Sequence, residues 1–317
     1  MAGSLTGAGS TFQLAFLQRA ILSFESVQPG IRITYDGGGS GDGRADLAAG
    51  AVNFAGSDTA PIPASELAGF KGRTVLYFPV VIGPISVAYN LPGVSKLRLS
   101  APVIANIFQG TITKWNDPAI AAENPGVRLP DRVITIIRRA DSSGTTQNFS
   151  QFLVEAAPQV WKLGTGSLIS WPASSVGAYG SAEVASLIMG TPGAIGYVDF
   201  ANAKAAHVTS AWIKNQVGSY IMPSPASAAE AARHVSVRPD LTFSAIWAPG
   251  PNSYPITYQS WDLVYEEQPN ANDARMLLAW LGYLLGDGQT MLIGLNYAPL
   301  PTSIDQLAAH QLRRITP

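Results

Sequence analysis

The sequence contains no cysteine, and its three histidines lie far apart along 317 residues. Without thiols the chain can form no disulfide, thiolate nucleophile or cysteine metal site. Three isolated histidines (His207, His234 and His310) also give no reason to expect a histidine metal cluster. We therefore expect neither a metal centre nor a cofactor.

Charged residues are scarce as well, at 13% of the chain, whereas an average soluble protein has about 25%. The formal net charge of −1 argues against nucleic acid or an anionic membrane as a partner, because both are bound by basic surfaces. No apolar run approaches the roughly 18–20 residues of a membrane span. The first residues, MAGSLTGAGSTF, lack the charged and apolar regions of a signal peptide, which fits either a cytoplasmic protein or one whose leader has been removed.

Strand-like and helix-like segments alternate along the chain, which predicts an α/β fold. The length suits two lobes of about 150 residues each better than one core. Apolar spacing predicts an amphipathic helix over Phe12–Val27. Further segments are predicted as a strand (IRITY), a tight turn (GGGSGDG), a short helix ending at Gly50 (RADLAAG), a strand presenting Ser57 and Asp58 (VNFAGSD), a buried strand (VITIIRR) and a helix (TTQNFSQFLVEAA).

Glycine, serine and threonine recur where three of these helices are predicted to begin, in GAGSTF, GGGSGDG and SSGTT. Helix N-termini expose unpaired N–H groups with partial positive charge, which suit anions. Each segment alone could be a turn or a helix cap, and Arg139 with Asp141 could be a surface ion pair worth ~0–1 kcal/mol. A single bound oxyanion would explain all of them together.

The glycine-rich segment GGGSGDG does not match the known nucleotide-binding or serine-hydrolase motifs. No G-x-G-x-x-G or P-loop pattern is present, and Asp42 stands where G-x-S-x-G needs its last glycine. A serine hydrolase is therefore a poor interpretation of this glycine-rich segment.

Four segments in order, LTGAGSTF, GGGSGDG, VNFAGSDTAP and RRADSSGTTQNF, resemble the periplasmic phosphate-binding proteins that serve phosphate ABC importers. The resemblance extends over nearly the whole chain, from Ser4 to the C-terminal helix. It implies a two-lobed periplasmic-binding-protein fold, with two crossovers and the anion in the interlobe cleft. We expect lobe I to comprise 1–84 plus 251–317 and lobe II to comprise 85–250, with crossovers near Gly83–Ile85 and Pro251–Ile256.

The resemblance also implies a ligand set. Thr11 would donate its hydroxyl and Phe12 its backbone N–H, Ser40 would donate its hydroxyl, and Asp58 would accept a proton from the ligand. From the other lobe would come Arg139, Asp141 paired with it, Ser143, Gly144 and Thr145. The chain departs from the family at Gly41-Asp42-Gly43, where Ser-Gly-Gly often follows the binding serine, and at Ala140 and Ser142. The role of Asp42 stays open.

Asp58 would select for phosphate, because sulfate carries no proton at neutral pH and would leave this carboxylate unpaired, at a cost of roughly 2–5 kcal/mol. The implied function is phosphate delivery to an ABC permease and its ATPase by a monomer outside the cytoplasmic membrane, without catalysis. Three alternatives remain open. They are a phosphate-ester hydrolase holding a metal through Asp42, Asp58 and Asp141, a protein for another protonated oxyanion such as arsenate, and a structural protein with a vestigial site.

Overall fold

The computed structural model describes residues 1–317, which form two compact units. Unit 1 comprises Met1–Ile82, Val235–Ser244 and Gln259–Pro317, and unit 2 comprises Gly83–His234 and Ala245–Tyr258. The expected lobes (1–84 with 251–317, and 85–250) differ from these units mainly in two segments: 235–244, expected in lobe II, lies in unit 1, and 251–258, expected in lobe I, lies in unit 2. The segment 235–244 packs in unit 1 because Trp261 Nε1 donates to the Leu241 carbonyl (3.0 Å) and the Trp261 ring contacts Phe243.

Twelve strands and ten α-helices make up the fold. The strands are β1 Gly3–Gly9, β2 Ile31–Asp36, β3 Phe54–Ser57, β4 Val75–Tyr89, β5 Arg98–Leu99, β6 Thr135–Arg139, β7 Val176–Ala178, β8 Ala194–Asp199, β9 Thr209–Ser210, β10 Trp212–Lys214, β11 Tyr220–Ile221 and β12 Thr257–Tyr265. The helices are α1 Leu14–Val27, α2 Ser40–Ala49, α3 Ala101–Phe108, α4 Pro118–Glu123, α5 Gly144–Ala156, α6 Gly180–Gly190, α7 Phe200–Ala205, α8 Pro225–Ala232, α9 Ala271–Leu285 and α10 Thr302–Gln311. None of the helices is long and apolar enough to cross a membrane.

Unit 1 is built on strands in the order β2-β1-β3-β12. Strand β1 is parallel to both β2 and β3, whereas β12 runs antiparallel to β3. The predicted amphipathic helix is present as α1, which buries Phe16, Leu17, Ala20 and Phe24. Because β1 and β3 are parallel neighbours, their carboxyl ends lie at the same edge of the sheet.

The prediction of a tight turn over GGGSGDG is only partly right, because α2 already begins at Ser40. Gly39 has a φ of 115°, a conformation that residues with side chains rarely adopt. Gly43 lies within the helix, where an added Cβ would be 2.5 Å from the Ala8 carbonyl oxygen. Glycine at this position therefore allows α2 to approach the end of β1 closely.

Unit 2 contains strands in the order β4-β8-β6-β7, with β9 paired to β4, and a separate small sheet of β11, β10 and β5. Strand β6 is parallel to β7 and β8, so the predicted buried strand VITIIRR lies inside this sheet from Thr135 onward, whereas Val133 is exposed. Strand β4 is one continuous strand, with unit 1 ending at its Ile82 and unit 2 beginning at its Gly83. Two short 3-10 helices, Asp287–Met291 and Ile293–Leu295, follow α9 in unit 1.

Candidate anion-binding site

The predicted ligands of unit 1 lie where β1 and β3 end and where α1 and α2 begin. Ser40 is the first residue of α2, and its Oγ accepts a hydrogen bond from the Asp58 backbone N–H at 3.1 Å. The Phe12 N–H donates to Ser10 Oγ at 3.1 Å, in the loop that also carries Thr11. The structure thus brings the four predicted residues of this unit to one edge of the sheet, and the binding role of each stays a prediction.

Asp58 is 3% exposed and is surrounded by serine hydroxyls. Its Oδ1 atom accepts from Ser10 Oγ at 2.5 Å and from Ser260 Oγ at 2.6 Å, and its Oδ2 atom accepts from Ser40 Oγ at 3.4 Å. Hydrogen bonds to a carboxylate favour its ionised form. The unit 1 site therefore combines hydroxyls and helix starts with one buried carboxylate.

The starts of α1 and α2, which lie at this edge of the sheet, have no side-chain cap. Gln13 at the start of α1 and Gly39 at the start of α2 make no side-chain hydrogen bond to a first-turn N–H. Such N–H groups have no intrahelical carbonyl to bind and attract anions. Asp42 lies in the first turn of α2 with an exposed side chain.

In unit 2, Arg139 ends β6 and forms a bidentate pair with Asp141, and both side chains are almost fully buried. Arg139 Nε donates to Asp141 Oδ1 at 2.7 Å, and its Nη2 donates to Oδ2. Asp141 Oδ1 also accepts from the Gly180 N–H at 3.2 Å, at the start of α6. The guanidinium is therefore held in one orientation, and its charge is offset by an adjacent carboxylate.

The start of helix α5 carries hydroxyl side chains and first-turn N–H groups that could bind an anion. Ser143 Oγ accepts from the Thr146 N–H at 3.2 Å and so caps the helix, while the N–H groups of Gly144 and Thr145 have no intrahelical carbonyl to bind. Thr145 Oγ1 is buried and has no hydrogen-bond partner. A buried hydroxyl left without a hydrogen bond costs about 1–3 kcal/mol of stability. The Thr145 hydroxyl is therefore well suited to donate a hydrogen bond to an acceptor atom of a ligand.

Tyr197 joins these parts of unit 2. Its hydroxyl accepts from the Arg139 N–H at 3.2 Å and lies 2.7 Å from Thr146 Oγ1. Burial raises the pKa of Tyr197 to about 12, so the phenol stays neutral and fixes the end of β6 relative to α5.

A second buried polar group lies beneath the loop of Ser10–Phe12. The Tyr35 hydroxyl donates to the Ser10 carbonyl at 3.0 Å, and both this hydroxyl and the Gln13 amide lie against Gly56, where no Cβ would fit. Asp262 pairs with Gly56 across β12 and β3. Burial raises the pKa of Asp262 to about 8, so this carboxyl keeps its proton at neutral pH.

The sequence prediction missed Ser10, Ser260 and Asp262. Ser10 lies within the quoted segment GAGSTF, so its position next to two predicted ligands was an available signal. Ser260 and Asp262 lie on β12, about 200 residues after Asp58, and no motif marks them. No group of three or more His, Asp or Glu side chains is placed to hold a metal ion.

Two α/β units, each with parallel strands that end at the starts of helices, are typical of the class of periplasmic binding proteins. The family model for the PBP superfamily domain matches residues 1–287. Solved structures agree with this fold. A periplasmic phosphate-binding protein with bound phosphate has a TM-score of 0.81 at 20% identity and covers 98% of this chain and 94% of its own. A putative phosphate ABC transporter substrate-binding protein from Clostridium perfringens has a TM-score of 0.69 at 16% identity, over 94% and 100% of the two chains.

Relatives identified by sequence show which family of periplasmic binding proteins the chain belongs to. The phosphate-binding protein PstS of Xylella fastidiosa is 34% identical over 308 residues, which cover 95% of this chain and 82% of that protein. Phosphate-binding protein PstS 3 of Mycobacterium tuberculosis is also 34% identical over 308 residues, covering 94% and 83%. The chain belongs to the PstS family of phosphate-binding proteins, which confirms the resemblance seen in the four segments.

Proposed function

We propose that the protein binds inorganic phosphate and delivers it to an ABC importer. The observation that supports this most directly is Asp58, a buried carboxylate within a group of anion donors. A site for a fully ionised anion would exclude such a group, because like charges repel and a carboxylate cannot donate. A site for a protonated oxyanion needs an acceptor of this kind.

The proposed ligand set is the one expected from the sequence: Thr11, Phe12, Ser40 and Asp58 from unit 1, and Arg139, Asp141, Ser143, Gly144 and Thr145 from unit 2. Most of these donors are hydroxyls and helix-start N–H groups, which stabilise an anion without adding net charge. Arg139 supplies the one permanent cation, and Asp141 orients it through the bidentate pair.

Asp58 would also determine which anions are rejected. Phosphate keeps at least one proton at neutral pH and can donate it to this carboxylate, whereas sulfate has none. The rejection should amount to roughly 2–5 kcal/mol, the cost of leaving a buried charge unpaired beside another anion. Arsenate has the same protons and shape as phosphate, so this geometry would also accept it.

We further propose that the protein acts as a monomer outside the cytoplasmic membrane and presents phosphate to a permease and its ATPase. This proposal is supported by its relative in Xylella fastidiosa, a phosphate-binding protein, and by two proteins of similar fold, a periplasmic phosphate-binding protein and a putative phosphate ABC transporter substrate-binding protein. In this proposal the protein binds phosphate without turnover. A generic phosphate ester, incubated with the protein with and without divalent metal, should therefore not be hydrolysed.

Calorimetric titration of phosphate-stripped protein with phosphate and with sulfate, side by side near neutral pH, tests the proposal. We expect tight phosphate binding and no heat from sulfate. Arg139→Ala should abolish phosphate binding, whereas Arg138→Ala should not, because Arg138 contacts Ser175 and the Arg139 carbonyl instead. If the unsubstituted protein binds neither phosphate nor sulfate, the proposal is refuted.

A further inference from the structure

We propose that Gln13, Tyr35 and Asp262 form a polar support that holds the loop Ser10–Phe12 in its phosphate-binding conformation, and that this support works only while Asp262 carries its proton. None of the three residues belongs to the expected ligand set. They are positioning residues, because they would act on phosphate through the loop without touching the ion. The inference rests on the proposed phosphate-binding function.

The space for the polar support is made by Gly56. Gly56 and Asp262 are paired across β3 and β12, and directly paired residues of antiparallel strands place their side chains on the same face of the sheet. Because Gly56 has no side chain, the Gln13 amide and the Tyr35 hydroxyl can occupy the position where its Cβ would be. Gln13 and Asp262 are both fully buried. Polar groups from the start of α1, from β2 and from β12 thus meet inside unit 1.

The polar support bears on both ends of the loop. At one end, the Tyr35 hydroxyl donates to the Ser10 carbonyl at 3.0 Å. At the other end, Gln13 directly follows Phe12 and is the N-cap residue of α1. The Phe12 N–H, which is expected to bind phosphate, therefore lies between two residues that the support holds in place. A displacement of either residue would move this donor.

The charge of Asp262 decides whether the polar support is stable. Burial raises the pKa of Asp262 to about 8, an effect that the nearby Gln13 amide only partly offsets. Neither carboxyl oxygen has any other hydrogen-bond partner within the protein. Ionisation above about pH 8 would therefore place a poorly compensated charge in the interior, which favours any rearrangement that brings water or a donor to it. Gln13 and Tyr35 are the groups that would move.

An ionised Asp262 would also act on the anion directly. Burial raises the pKa of Tyr35 well above its ordinary value, and the nearby Asp262 and Asp58 carboxyls add to this rise. The Tyr35 hydroxyl is thus within electrostatic range of both carboxyls. Because Asp58 is expected to contact phosphate, a charge on Asp262 would repel the bound ion through a poorly screened interior. Displacement of the loop and repulsion both weaken phosphate binding as the pH rises.

Other ionisable groups lie on the elements around the polar support. Asp58 after β3 and Asp36 at the end of β2 act on Tyr35. The neighbouring elements also carry Arg19 and Glu25 on α1, Asp42, Arg44 and Asp46 on α2, Tyr77 on β4, and Asp273, Arg275 and Tyr283 on α9. None of these is among the groups that shift the pKa of Asp262. All of them, and phosphate itself, are the same in the unsubstituted chain and in Asp262→Asn, so the ratio of the two Kd values isolates the charge of Asp262.

The test is calorimetric titration of the full chain, stripped of phosphate, with inorganic phosphate at several pH values from about 7 to 10. The proteins are the unsubstituted chain and Asp262→Asn. At about pH 7 the two Kd values should agree within about threefold, because an amide resembles a protonated carboxyl. At about pH 9 only about one tenth of the unsubstituted chain keeps the Asp262 proton, so the ratio of the two Kd values should rise about tenfold. Circular dichroism at each pH checks that both proteins are folded.

Proton uptake is a second readout. Linkage requires that phosphate, if it binds better when Asp262 is protonated, raises the proton affinity of Asp262 in return. Phosphate binding at about pH 8.5 should therefore take up more protons with the unsubstituted chain than with Asp262→Asn. Titrations in two buffers of different ionisation enthalpy measure this number. A residue that only stabilises the fold would not change it.

Variants of the other two residues test the geometry. Gln13→Met removes the amide and should raise the phosphate Kd at about pH 7. It should also move the alkaline weakening to higher pH, because the amide lowers the pKa of Asp262. Tyr35→Phe should raise the Kd about threefold to tenfold, the loss of one hydrogen bond to the loop. Tyr265→Phe is the matched control, since this hydroxyl donates to the Leu47 carbonyl instead, and it should leave the Kd unchanged.

Two results would overturn the inference. One is a ratio of Kd values between the unsubstituted chain and Asp262→Asn that stays constant up to about pH 10, and the other is equal proton uptake by these two proteins. If Asp262→Asn does not fold, Gln13→Met decides, and an unshifted alkaline weakening in that variant overturns the inference. If the unsubstituted chain does not bind phosphate at about pH 7, the proposed function itself fails. If it binds phosphate and any of the overturning results is found, only the role of the polar support fails.

Discussion

Asp262 should make the folded protein less stable as the pH rises toward 8. It is fully buried on β12, and burial raises its pKa to about 8. In the unfolded chain the same carboxyl has the ordinary aspartic acid pKa of about 3.9. Between these two values the unfolded state binds fewer protons than the folded state, so the free energy of unfolding falls as pH rises.

Asp262→Asn should remove this pH dependence, because an amide is similar in shape to a protonated carboxyl and cannot ionise. At about pH 4 the variant and the unsubstituted chain should be similarly stable. Near pH 8 the variant should be more stable by up to about 5 kcal/mol, the equivalent of the difference between the two pKa values at 1.36 kcal/mol per pH unit.

The assay is urea unfolding followed by tryptophan fluorescence at several pH values between about 4 and 8, in phosphate-free buffer so that ligand binding does not add to stability. Asp131→Asn is the matched control, because Asp131 is exposed and contacts only the exposed Lys114 among basic residues. Parallel stability curves for Asp262→Asn and the unsubstituted chain would show that Asp262 is ionised in the fold.

Three further predictions concern the site and its framework. Asp58→Asn should bind sulfate with an affinity within about tenfold of that for phosphate, and calorimetry that still finds sulfate silent would contradict the role of Asp58. Thr145→Val should lower phosphate affinity about tenfold yet leave the ligand-free melting temperature unchanged or higher, because the lost hydroxyl is buried without a partner. A fall in that melting temperature would mean that the hydroxyl is satisfied within the protein. Gly43→Ala should destabilise the fold by about 2 kcal/mol or more in urea unfolding, because its Cβ would clash with the Ala8 carbonyl, whereas Gly190→Ala, with open space around it, should be neutral or stabilising. Equal stability of the two glycine variants would contradict the close approach of α2 to β1.

The sequence predicted the features whose causes lie within a few neighbouring residues. The amphipathic spacing of α1 and the hydroxyl cap of α5 at Ser143 are local, and both are present in the structure. The start of α2 was misplaced because Gly41 and Gly43 resemble turn residues, although Gly43 is needed for packing against Ala8. Helix α6 went unpredicted, since it begins and ends with glycine and its buried face is small, with Val184, Ala185 and Ile188.

The features that the sequence did not predict depend on distant pairings. Ser260 contacts Asp58 only because β12 aligns with β3. The protonated state of Asp262 follows from burial, which no local pattern around this residue indicates. The assignment of Val235–Ser244 to unit 1 likewise depends on contacts of Trp261 with Leu241 and Phe243.

The position of β12 near the end of the chain affects how the protein can be made. Translation delivers β3 and Asp58 long before Ser260, so the growing chain holds β3 with one edge unpaired and Asp58 without one of its donors. Unpaired strand edges can join other chains, and contacts between distant residues form slowly. A chain interrupted before β12 would therefore be prone to aggregation and would lack the hydroxyl that Ser260 donates to Asp58, so the surroundings of this carboxylate would be complete only when synthesis is almost finished.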